Sequence, residues 1–83
     1  MNISPELMEA LADIEHKRWA SWQQYVFDKC SVVDGNVVIP GWAVENWKRQ
    51  INTPYADLSE KEKEADRREV RKYLEVFKEN GGI

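Results

Sequence analysis

Asn52-Thr53-Pro54-Tyr55-Ala56-Asp57-Leu58-Ser59-Glu60-Lys61-Glu62-Lys63-Glu64-Ala65-Asp66-Arg67 is the stretch that decides how this chain divides. Pro54 disfavours helical backbone at Thr53, so a helix arriving from upstream stops there. Ser59 and Glu62 then stand three apart at the head of a charged, helix-favouring run. That is the spacing of a capping box, in which the hydroxyl and the carboxylate each receive a backbone N–H of the first turn. One helix ends and another begins inside this segment.

Downstream, the spacing predicts a helix to about Glu79, with Asp66, Val70, Tyr73, Leu74 and Phe77 on one face and Gly81 as its terminator. Upstream, Ala43, Val44, Trp47 and Ile51 recur at helical spacing after Pro40-Gly41, giving a short helix that ends near Asn52, with Trp42 projecting away from the stripe. Before it, Val32-Val33-Asp34-Gly35-Asn36-Val37-Val38-Ile39 is a β-branched run broken by Asp-Gly-Asn, the local chemistry of a tight hairpin. Ser4 and Pro5 start the first helix, which runs to about Lys29, and Ile3 and Met8 have the spacing of a hydrophobic staple. On that helix Leu7, Met8, Leu11, Trp22 and Val26 share a face, with Ile14 and Trp19 at its edges and Glu15 and Arg18 inside it. The expected fold is one domain over residues 1–83, mainly α, a three-helix unit with a short β-hairpin between the first and second helices.

Composition narrows the function. A chain of 83 residues buries a small fraction of its surface, so four Trp, three Tyr and two Phe must supply much of its core. A formal charge of −3 argues against general nucleic-acid binding, where a basic surface supplies most of the affinity. Cys30 is the single cysteine and His16 the single histidine, so neither an internal disulfide nor a zinc site of ordinary ligand count is expected. No apolar run approaches the roughly 20 residues that span a bilayer, and the first residues lack the pattern of a signal peptide, so a cytoplasmic setting is expected. No phosphate loop and no nucleophile with a partnered base are visible, so no enzyme activity and no cofactor are expected.

Three charged residues, Glu15, Arg18 and Asp66, fall on otherwise apolar faces. Charges there need partners, and the simplest pairing is Arg18 on the first helix with Asp66 on the last. Lys17-Arg18, Lys48-Arg49 and Arg67-Arg68-x-x-Arg71-Lys72 are basic clusters that read as solvated helix faces or as contacts for a small anion. His16 and Trp19 lie one turn apart and point the same way, which suits either packing or stacking on a flat ligand. Trp42 reads as a residue packed on the hairpin or as an aromatic anchor for a partner.

The run from Pro54-Tyr55 through Leu58-Ser59-Glu60 to Asp66-Arg67 resembles the ryanodine-receptor repeat, or RyR domain, a small helical module. His16-x-x-Trp19 resembles its opening, and Tyr73-Leu74-Glu75-Val76-Phe77 with Gly81-Gly82-Ile83 its closing helix and turn, while Ser31 to Trp47 has no obvious counterpart in the channel repeats. The resemblance implies a solitary member of the bacterial or phage type, in the host cytoplasm if phage-encoded. It also implies a non-enzymatic module that binds a nucleotide-like ligand through Trp19, His16, Arg18, Tyr55, Asp66 and Arg67. Because the channel repeats occur in tandem, it further implies a homodimer with the ligand cleft beside the interface. The alternatives are a protein-interaction module using exposed aromatics such as Trp42 and, third, a single-strand nucleic-acid binder.

Overall fold

Ser4 accepts the N–H of Leu7 at 3.1 Å, and Pro5 fills the first helical position without wasting a donor. These two residues open α1 (Pro5–Lys29), 25 residues long, in a computed structural model that describes residues 3–81. Beyond Cys30 the backbone is extended and enters β1 (Ser31–Val33), paired antiparallel with β2 (Asn36–Val38) in the register Ser31 to Val38, Val32 to Val37 and Val33 to Asn36. Asp34 (φ 49°) and Gly35 (φ 77°) form the two-residue loop. Left-handed backbone at both positions is what a type I′ turn requires, and its twist matches that of the flanking strands. Asn36, which the sequence groups with the turn, opens the second strand instead.

Extended Pro40 turns the chain into α2 (Gly41–Ile51), which has no side-chain cap; the Pro40 carbonyl accepts the N–H groups of Ala43 and Val44 at 3.0 and 3.1 Å. At the other end, the amide of Asn52 donates to the Lys48 carbonyl at 2.8 Å and the hydroxyl of Thr53 to that of Arg49 at 2.6 Å. These bonds satisfy carbonyls that a helix end leaves open. Pro54 leads into a single 3₁₀ turn, Tyr55–Asp57, and then to α3 (Glu60–Glu79). Both arms of the capping box form: the N–H of Glu62 donates to the Ser59 hydroxyl at 3.2 Å, and the N–H of Ser59 to the Glu62 carboxylate at 3.0 Å. Ser59→Ala removes one arm and is expected to cost about 1 kcal/mol in urea unfolding; an unchanged midpoint would contradict the cap. Gly81 has a φ of 71°, the left-handed geometry that terminates α3, while Gly82 and Ile83 lie outside the described residues.

The architecture is therefore mainly helical, three helices with a hairpin between the first two. Its main interhelical packing joins α1 to α3. Among the described residues only Leu7, Ala43 and Val76 are buried. The radius of gyration is 16.4 Å, against about 12 Å for a compact chain of this length.

The apolar stripes are real, but their covers differ from the sequence reading. On α3, Val70 and Leu74 are exposed, whereas Val76 is buried and Tyr73 and Phe77 are half-buried. The helix is thus rotated toward Val76, away from the face centred on Val70. On α2, Ala43 is fully buried but Ile51 is 80 % exposed, because the chain turns away at Asn52 before any element covers it. Met8 and Trp22 of the α1 face are also exposed. Among the described residues no helix is long and apolar enough to cross a membrane.

Candidate functional site

Trp22 and Tyr25 stand one turn apart on α1 and stack with ring centroids 5.3 Å apart. Trp47 of α2 meets them, its ring edge-on to Trp22 at 5.4 Å and tilted against Tyr25 at 6.4 Å. Such offset and edge contacts are the arrangements aromatic rings favour. This trio fixes α2 to the C-terminal half of α1.

From the other side, α2 is tied to the start of α3 by one carboxylate. Arg49 and Gln50 donate to Glu62 at 2.5 and 2.7 Å. With the guanidinium of Arg49 foremost, and the Ser59 backbone and hydroxyl next, these donors hold the Glu62 carboxyl at about 2, below its ordinary 4.5.

These two junctions and the packing of α1 on α3 leave a cleft of about 1440 Å³ between the middle of α1, the end of α2 and the first half of α3. Sequence explains why it stays open. The α3 residues that line it include Lys61, Glu62, Ala65, Asp66, Arg68 and Glu69, five charges around one methyl group, facing the aromatic wall of Trp22 and Tyr25. Charged side chains do not close over an apolar wall without partners.

Arg18 and Asp66 both line this cleft but do not form the interhelical ion pair that their positions suggest. Arg18 instead grips Glu15, one turn earlier on its own helix, with Nε 3.1 Å from both carboxylate oxygens. A partner at that spacing is met with less side-chain ordering than one on another helix. The link between α1 and α3 comes from Tyr73, whose hydroxyl donates to Glu15 at 2.5 Å. Arg18 first and Tyr73 second hold the Glu15 carboxyl down at about 2 from an ordinary 4.5, and the neighbouring carboxylate pushes the Tyr73 hydroxyl up. Asp66 is exposed and has no ion pair among the described residues.

The other expected ligand contacts lie outside the cleft lining. His16 and Trp19 stack on each other at 6.1 Å on exposed α1 surface, and Lys17 between them bonds Asp13 at 2.8 Å. Tyr55 is exposed with the Lys63 ammonium 5.9 Å from its ring, and Arg67 bonds Glu60 and Glu64 at 3.3 and 3.4 Å. Trp42 is 54 % exposed. Sequence reasoning misses Trp22, Tyr25 and Trp47 as candidate contacts, although two aromatics at helical spacing, with a third on the next helix, carry the signal.

Two depressed carboxylates set an acid limit. Glu15 and Glu62 bind their protons more weakly folded than unfolded, so the folded state carries fewer protons below the ordinary carboxylate range. Their contribution is complete above an ordinary value of 4.5 and falls away as the pH drops toward about 2. Glu15→Gln is expected to flatten the loss of stability across that window in urea titrations; a variant with the same pH slope would contradict the assignment. Comparison of the chain with protein-family models, with curated proteins and with solved structures finds no match.

Proposed function

We propose that this chain is a non-enzymatic protein-interaction module whose aromatic cleft is completed by another polypeptide. The observation that carries the reading is the cleft itself. At about 1440 Å³ it exceeds the roughly 300–1,000 Å³ of small-molecule pockets. Its wall combines an aromatic trio with charges of both signs, whereas an anionic ligand or a nucleic acid calls for a basic surface. Trp42 and the valines of the hairpin are further exposed apolar residues outside the cleft lining. Exposed patches of this kind mark interaction sites, and tryptophan is prominent among interface anchors.

A second reading, nucleotide stacking as the RyR resemblance implies, is favoured by the exposed His16–Trp19 stack. The cations that separate the two rings in sequence, Lys17 and Arg18, are engaged by Asp13 and Glu15. A photoreactive side chain placed at Trp22 or Trp42 of the full chain in expressing cells distinguishes the two. Covalent adducts with polypeptide at both positions, and none at exposed Asp13, are expected. Absence of adducts at both, together with a higher melting temperature in the presence of ATP or a cyclic nucleotide, would replace the interaction reading.

A further inference from the structure

On the cleft face of α3, which also carries Asp66, four charges repeat with inverted order about Ala65. Lys61 and Glu62 precede it by four and three residues, and Arg68 and Glu69 follow it by three and four. When two such helices cross antiparallel with a two-fold axis at Ala65, Lys61 of each falls opposite Glu69 of the other, and Glu62 opposite Arg68. These four positions then meet the opposite sign, while Asp66, which falls opposite Glu64, does not. Ala65, the smallest residue of the stripe, sits where the backbones come closest. The reverse alignment, with the helices parallel, sets like charges against each other.

We infer that the occupant of the cleft is a second copy of this chain, inserting the Lys61–Glu69 face of its α3 about a two-fold axis at Ala65. The inference rests on the interaction reading above. Two further observations support it. Lys61 and Arg68 have no ion pair within the chain among the described residues, so each gains its first carboxylate from the other copy. The cleft, about 1440 Å³, holds two to three turns of a helix of roughly 10–12 Å diameter and 5.4 Å pitch, and Lys61 to Glu69 is a little over two turns. A two-fold interface uses one patch twice, so the patch has to carry both signs, as this one does.

Sedimentation equilibrium of the full chain from about 1 to about 100 μM is expected to give a dimer mass. Lys61→Glu sets a new carboxylate against Glu69 of the other copy, and Glu69→Lys sets two ammonium groups together, so each variant alone is expected to weaken self-association at least tenfold. Mixed in equal amounts, the two variants form a heterodimer in which both 61–69 contacts pair opposite signs, so mixing is expected to recover association, and the double variant Lys61→Glu with Glu69→Lys restores opposite signs at every such contact. The double variant is therefore expected to recover the homodimer. Helix content measured by circular dichroism separates loss of association from loss of folding. A wild-type monomer at about 100 μM, or a dimer indifferent to both single charge reversals, would overturn the inference. Adducts at Trp22 with a different polypeptide, alongside a monomeric purified chain, would overturn it while leaving the interaction reading standing.

Discussion

Trp47→Ala is expected to release α2 from the rest of the molecule. Truncating a fully buried tryptophan costs about 3–5 kcal/mol; Trp47 is half-buried, so about 2–3 kcal/mol is the expected loss. The ring is the piece of α2 that meets both Trp22 and Tyr25. What remains between α2 and its neighbours includes the bonds from Arg49 and Gln50 to Glu62. Arg49 is half exposed, and an ion pair there contributes at most about 1 kcal/mol. Amide hydrogen exchange gives the local readout: protection of Val44 to Ile51 should drop to that of a fraying helix, with the packed region of α1 and α3 less affected. Equal protection before and after substitution would mean that the aromatic trio does not anchor α2.

Leu7→Ala acts at the other end. Leu7 on α1 and Val76 on α3 are the buried apolar residues of the two helices that pack together, each 7 % exposed. Buried Leu→Ala changes cost about 2–5 kcal/mol. The thin surroundings here relax into the space, so about 2–3 kcal/mol is expected. For a chain of this length total stability is of order 4–12 kcal/mol, and the substitution removes a large share of it. Urea unfolding at one fixed protein concentration measures the effect, since association also shifts the midpoint. A loss below about 0.5 kcal/mol would show that the α1–α3 contact is not where the fold is held.

Sequence is a sufficient guide where the determining chemistry is local. Ser4-Pro5, Asp34-Gly35, Pro54 and the Ser59–Glu62 box each act on backbone within a few residues, and the helices and hairpin begin or end at them. It fails where the answer depends on what lies opposite. Val70, Leu74 and Ile51 have the spacing of a core face, but spacing does not say whether another element arrives to cover it. Arg18 reads as pairing across helices only while its own-helix partner, Glu15, is itself counted as an anomaly needing one; each resolves the other, with Tyr73 joining them. The cleft is illegible for the same reason. It exists because three helices diverge, and no single stretch encodes a divergence.

The scarcity of contacts between residues distant in sequence also bears on time. The hairpin closes over a two-residue loop and α1 and α3 are stabilised at their own ends by Ser4 and Ser59, so little of the native structure waits for a long loop to close. Chains of such low contact order fold in microseconds to milliseconds, and hairpins of this kind form in about 1–10 μs. Helix and turn are therefore present early, and the slower event is the search by which finished helices find one another.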